Sequence, residues 1–334
     1  MSRLEGQERR ASKGETDIMT PFVRLVGAAA ATLVATAAAA QERPHVELVL
    51  GIQIGFHEAI ACGARAAAEE FGADIGVQAA QNYGPADQIP LLNSVLATRP
   101  DFVILDPTNR TAMVAPLADA VAQGVKVIAV DTTLDDTSML TARIGTDNVE
   151  VGRQLARGLA EQLGDQAGKV AMVASSPGIS TIDDRIKGFE EEIAKYPNLE
   201  FIGTQYAGNE VGQATSTFSS LLAANPDLIG VAAPSENPAM GVAAGIRGAG
   251  VADSVAAAGV DASEAQIAAL REGLLDALVM QQPYEMGYEA VKAAVAVTNG
   301  EEVPAEAATG AVIGTAENID DPEVAKYLYV GHCI

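Results

Sequence analysis

The sequence predicts an α/β protein made of two similar, doubly wound parallel-sheet lobes. Three observations predict it. From Val46 onward, short apolar runs alternate with alanine-rich helical stretches without a break. These runs are apolar along their whole length rather than at every second position, as expected of strands covered by helices on both faces of a parallel sheet. A block of the first half also returns in the second, which points to two related lobes.

In the first half the strand candidates are "VELVLGI" from Val46, "ADIGVQAA" from Ala73, "DFVILD" from Asp101, "VKVIAVD" from Val125 and "ARIGT" from Ala142. Helical stretches fall between them at 58–71, 86–98 and 111–123, and another follows at 149–163. In the second half come "KVAMVAS" from Lys169, "EFIGTQY" from Glu200, "LIGVAA" from Leu228, "VAAAGVD" from Val255 and "DALVMQ" from Asp276, again each separated by a helix. The repeat joins "VLATRPDFVILDPTNRTAM" (95–113) to "LLAANPDLIGVAAPSENPAM" (221–240): helix end, Pro-Asp turn, strand, proline, helix start, Ala-Met. "VKVIAVD" and "VAAAGVD" then echo each other in the same order.

Ahead of the first strand, residues 25–36 form an apolar run preceded by Arg24, and Ala38-Ala39-Ala40 supplies the small residues of a secretory cleavage site. The mature chain is expected to begin near Gln41, and Met19 to be the better start codon. Arg9-Arg10 lacks the apolar context of a twin-arginine signal. A bacterial periplasm is the expected destination. The net charge of −23 makes nucleic acid and anionic lipid poor partners. Two cysteines, Cys62 and Cys333, form no disulfide framework; one bridge and two separate thiols both remain open. His45, His57 and His332 have no metal-ligand spacing, and no metal or cofactor is expected.

Three carboxylates sit at strand ends: Asp106, Asp131 and Asp261. No Walker loop, dinucleotide fingerprint or nucleophile elbow accompanies them. In open α/β sheets ligands bind beyond the carboxyl ends of the strands. A carboxylate there can accept hydrogen bonds from two neighbouring hydroxyls while an Arg or Asn donates to their oxygens, which accounts for acids without catalytic partners.

The stretches "GFHEAIACGARAAAEEFG", "ILDPTNRTA", "VIAVD", "IGTDNVEVGRQLA", "STIDDRIKGFEEEI", "SENPAMGVAAGI", "GVDAS" and "VMQQPYEMGYEAV" follow one another in the order found in a known family. In these the chain resembles the ribose-type periplasmic sugar-binding proteins of ABC importers, which have the type I periplasmic binding protein fold. The resemblance implies two lobes joined by a three-strand hinge, with crossings near Thr146, Gln282 and 311–315. The expected organisation is an extension and signal peptide at 1–40, a first lobe of 46–146 plus 283–312, and a second of 147–282 plus 313–334. The implied ligand is a monosaccharide or polyol, and the implied partner is the membrane subunits of an ABC importer, served by a monomer.

Carried over position by position, the family's ligand contacts fall on Phe56, His57, Asp106 and Asp131 in the first lobe and on Arg185, Asn209, Ser235, Asp261 and Gln281 in the second. The chain departs from the ribose binders at His57, where a second aromatic is usual, and at Thr132, where they carry Arg. Asn209 and Ser235 are also unusual. Local readings compete: each strand-end Asp suits a cap or turn, Arg185 could pair with Asp183 or Asp184, and Ser235 could cap a helix while Glu236 or Asn237 faces the ligand. Two other functions share these features. A sensory protein reporting a sugar to a chemoreceptor or histidine kinase would use the same cleft, and a glycoside-processing enzyme would need one acid with a raised pKa.

Overall fold

The computed structural model describes residues 43–329. The expected leader and Cys333 lie outside the described residues, while Cys62 is disulfide-bonded. The first lobe runs β1 (His45–Leu50), α1 (Gly55–Phe71), β2 (Asp74–Ala79), α2 (Pro85–Leu96), β3 (Phe102–Leu105), α3 (Val114–Ala122), β4 (Lys126–Val130) and β5 (Ala142–Thr146). The second runs α4 (Asn148–Leu163), β6 (Gly168–Ala174), α5 (Ser180–Ile193), β7 (Leu199–Tyr206), α6 (Val211–Ala224), β8 (Leu228–Ala233), α7 (Glu236–Ala249), β9 (Ala256–Val260), α8 (Glu264–Arg271) and β10 (Ala277–Gln281). The chain then returns through α9 (Pro283–Thr298) to β11 (Glu306–Thr309), followed by β12 (Ala311–Thr315) and α10 (Pro322–Ala325).

The two sheets have the orders β11-β5-β4-β3-β1-β2 and β12-β10-β9-β8-β6-β7, the same pattern twice. Every pairing is parallel except that of β12 with β10. The sequence repeat is therefore a repeat of topology. The strand order reverses between β1 and β3 and between β6 and β8, which opens a crevice at the carboxyl ends of each sheet.

Full-length apolar strands follow from two covered faces. Val46, Leu48 and Leu50 of β1 join Ile60 of α1 and Met286 of α9, while Val49 joins Leu92 of α2 and Leu117 of α3 on the other face. In the second lobe Ala171 and Val173 pack toward α6 and α7, and Val170 and Met172 toward α4 and α5. Each fully buried Val, Leu or Met contributes about 1.5–3 kcal/mol. α4 and α5 meet backbone to backbone: a Cβ on Gly152 would lie 2.0 Å from the Arg185 carbonyl oxygen, and one on Gly188 would lie 1.9 Å from that of Val149. That contact fixes the height of Arg185 in the second lobe.

The chain passes between sheets after Thr146, after Gln281 and at Gly310. The third passage falls ahead of the expected 311–315 window, because β11 and β12 are separated by one residue and pair with different sheets. Residues 311 and 312, expected with the first lobe, thus belong to the second sheet. The passages touch: the Gly310 amide donates to Gln282 Oε1 (2.8 Å), and the Thr146 and Thr309 hydroxyls are 3.1 Å apart.

Candidate functional site

Asp131 follows β4 and Asp261 follows β9, and both have left-handed backbones, φ 60° and 89°. Each amide still bonds the neighbouring strand, Asp131 to the Ile144 carbonyl and Asp261 to that of Val279, both at 2.9 Å. The chain thus turns sharply at the last paired residue. Non-glycine residues held this way cost about 1–3 kcal/mol and concentrate at functional sites. Both aspartates line one cavity between the lobes.

Asp106 lies behind that cavity rather than in its lining. It is fully buried; Oδ2 accepts from the Gly51 amide (3.1 Å) and pairs with His57 Nε2 (2.9 Å), while Oδ1 is 2.6 Å from the Thr132 hydroxyl. The Thr132 hydroxyl also lies 2.7 Å from the Pro107 carbonyl. His57 does line the cavity. Burial, the largest influence, works against its protonation, but the hydrogen bond and charge of Asp106 with the charges of Asp131 and Glu236 raise its pKa overall. Gly51 is required beside them: a Cβ there would sit 2.4 Å from the Tyr83 ring and 2.7 Å from Asp106 Oδ2.

In the second lobe Arg185 is buried and does not pair with Asp183 or Asp184. Nε donates to Asn148 Oδ1 (2.8 Å), Nη1 to the Pro234 carbonyl (2.8 Å) and Nη2 to Gln281 Oε1 (3.0 Å). Asp147 caps α4 through the Glu150 amide, which leaves Asn148 free for this role. Gln281 Nε2 then donates to Asp261 Oδ1 (2.8 Å), and the Glu236 amide donates to Asp261 Oδ2 (3.1 Å). Arg185, Gln281 and Asp261 form one chain of hydrogen bonds along the cavity wall. Asn209 and Ser235 complete the expected second-lobe set in the lining. Ser235 makes no side-chain cap to α7, and Asn237 turns to the Asn209 carbonyl instead.

Of the nine expected residues, all but Asp106 line the cavity. Sequence reasoning missed Tyr83, Ser175, Thr181 and the isoleucines Ile54, Ile179 and Ile182, and offered Glu236 only as an alternative to Ser235. The lobes meet around the cavity. Phe56 N donates to Glu236 Oε2 (3.2 Å), Thr133 N to Ser180 Oγ (2.8 Å) and Arg110 N to the Gly178 carbonyl (2.9 Å).

Burial, with Asp106 adding repulsion, pushes the Asp131 carboxyl up to about 7, against the attraction of Arg185 and His57. Burial and Asp261 raise Glu236 as well. Three buried polar atoms on cavity-lining residues have no hydrogen-bond partner: His57 Nδ1, Asp131 Oδ1 and Ser235 Oγ. They stand among Phe56, Ile54, Ile179 and Ile182. Unpaired buried polar atoms are costly, so this lining suits a small guest carrying both hydrogen-bonding and apolar faces. Among the described residues no His/Cys/Asp/Glu cluster suits a metal, and no helix is long and apolar enough to cross a membrane.

Residues 48–302 match a family described as periplasmic binding protein domain. An ABC transporter solute-binding protein from Agrobacterium vitis, solved with α-D-tagatopyranose, is 34% identical with a TM-score of 0.83, over 86% of this chain and 99% of that one. A carbohydrate transporter solute-binding protein from Agrobacterium radiobacter, in complex with D-arabinose, is 29% identical with a TM-score of 0.82 over the same shares. A D-apiose import binding protein from Actinobacillus succinogenes is 27% identical across 71% of this chain and 76% of that relative.

Proposed function

This chain belongs to the periplasmic binding protein domain family, and from that membership we propose that it is an exported solute-binding protein that captures a monosaccharide or polyol between its lobes and delivers it to an ABC importer. The observation that carries the ligand class is the set of unpartnered atoms, His57 Nδ1, Asp131 Oδ1 and Ser235 Oγ, around one cavity with apolar side chains between them. A sugar has hydroxyls for the first and C–H faces for the second. The sugars held by the Agrobacterium proteins support the same class.

The roles divide by lobe. Asp131 accepts hydrogen bonds from ligand hydroxyls on the first-lobe side, with His57 beside it held in one orientation by Asp106. From the second lobe, Arg185 and Asp261, pre-set by Gln281, donate and accept respectively. Phe56 presents its ring to the C–H surface. Charge-assisted bonds of this kind contribute about 1.5–3 kcal/mol each, and a wrong epimer that leaves a buried carboxylate unpaired is rejected.

Contacts from both lobes are complete only when the lobes are together, so the ligand draws the protein toward the closed form by its differential affinity. The three crossing segments at Thr146, Gln282 and Gly310 are the hinge. The closed surface is what the importer's membrane subunits read. The protein acts as a monomer, matures by removal of residues 1–40 and performs no chemistry on its cargo.

A thermal-shift screen across monosaccharides and polyols, with amino acids and nucleosides as controls, tests the ligand class. A true ligand at a hundred times its Kd stabilises the fold by about 2.7 kcal/mol. Melting shifted by amino acids or nucleosides and by no sugar or polyol overturns it. Recovery of the bound sugar unchanged after prolonged incubation tests the absence of turnover.

A further inference from the structure

The last described residues of the chain lie where the lobes meet. After α10 the chain returns to the end of β9, where the Tyr329 amide donates to the Ala262 carbonyl (3.5 Å) and its hydroxyl donates to Asp261 Oδ1 (3.1 Å). Its ring meets that of Phe56, at the start of α1, edge-on at 5.9 Å and 62°. Tyr327 and Leu328 pack on the second lobe's apolar cluster, whereas Tyr329 packs on clusters of both lobes. The segment lies past residue 302, where the family match ends.

Two of the cavity's lining residues are therefore held from behind by one side chain that does not itself line it. Asp261 belongs to the second lobe and Phe56 to the first. Burial and the adjacent Asp261 carboxylate keep the phenol's pKa well above its ordinary value, so the hydroxyl is a donor throughout the physiological range.

We propose that Tyr329 is a positioning residue of the cleft and that residues 327–329 form a clasp across the lobes, the hydroxyl orienting Asp261 and the ring tying Phe56 to the second lobe so that the closed arrangement is favoured. The affinity consequence rests on the cleft being the sugar site. The closure consequence does not.

The test uses the mature chain with Tyr329→Phe, which removes one hydroxyl, and Tyr329→Ala, which also removes the ring. Calorimetry with D-arabinose and D-tagatose should give a Kd raised roughly tenfold for the Phe variant, mainly through faster dissociation. In an Asp261→Ala background, where the hydroxyl has no acceptor, the same change should alter affinity less than about twofold, since the two residues act through one bond; a merely structural role would add in full. Small-angle scattering without sugar should show a larger radius of gyration for Tyr329→Ala than for the parent. Parental affinity in Tyr329→Phe overturns the positioning role, and an unchanged radius in Tyr329→Ala overturns the clasp. If the parent binds neither sugar, the proposed function is weakened while scattering still decides the clasp.

Discussion

Asp131 and Asp261 end equivalent strands of the two lobes with the same left-handed backbone, yet their carboxylates are in opposite states. Both oxygens of Asp261 are held, by the Glu236 amide, Gln281 Nε2 and the Tyr329 hydroxyl. Asp131 Oδ1 has no partner. One acid is held by partners around it, and under the proposed function the other is the one that a ligand hydroxyl would satisfy.

That contrast has a pH signature. The Asp131 carboxyl stands at about 7 when folded against 3.8 as its ordinary value. Between those values the folded chain keeps a proton that the unfolded chain has lost, so stability falls as pH rises through that window. His57 acts in the same sense: its raised pKa gives stability that is complete below 6.5 and lost as pH rises through its folded value. Urea unfolding should therefore show the sugar-free protein weaker at neutral pH than at pH about 5, and Asp131→Asn should flatten the slope between them. Sugar hydroxyls favour the carboxylate form, so binding near pH 7 should release a fraction of a proton, read by calorimetry in buffers of different ionisation enthalpy.

Arg185→Lys keeps the charge and loses the fork. Asn148 Oδ1, the Pro234 carbonyl and Gln281 Oε1 cannot all be satisfied by an ammonium on a shorter reach. The second lobe should lose about 2–4 kcal/mol in chemical unfolding, and sugar-induced stabilisation should vanish. A variant that melts like the parent and still responds to sugar would exclude Arg185 from the site.

Glu236→Ala should separate affinity from stability. Glu236 accepts from Phe56 N across the cleft, so its loss should weaken sugar binding about tenfold. Burial raises its pKa, which means that its charge is poorly solvated; removing it should leave sugar-free melting equal or slightly higher. Stopped-flow dissociation should carry most of the affinity change.

Gly51→Ala inserts a methyl where Tyr83 and Asp106 Oδ2 already lie. Overpacking of this kind costs about 1–3 kcal/mol. Because the displaced groups are Tyr83 and the acid that holds His57, binding should fall by more than the lost stability alone would produce, as calorimetry on the folded fraction would show.

The lobes were legible because a strand buried on both faces can hardly be written in other residues, and because the block 95–113 returns at 221–240. The turn acids Asp131 and Asp261 were legible through the same echo. Asp106 was misplaced by one layer: its Asp-Pro step looks like a ligand contact, and nothing in the chain tells that Thr132, Gly51 and His57 will converge on it. Tyr83, Ile179 and Thr181 come from irregular segments or a helix start with no periodic pattern, so only the meeting of the lobes reveals them. Tyr329 is contributed from sixty-eight residues beyond Asp261, a separation that no local spacing encodes.

With Gly310 alone between β11 and β12, the third link has no slack to stretch and can only twist. Under the proposed closure, a donor dye on α2 and an acceptor on α6 should report occupancy as a change in energy transfer. An extra glycine spliced in at that joint should blunt the optical response before it harms either sheet.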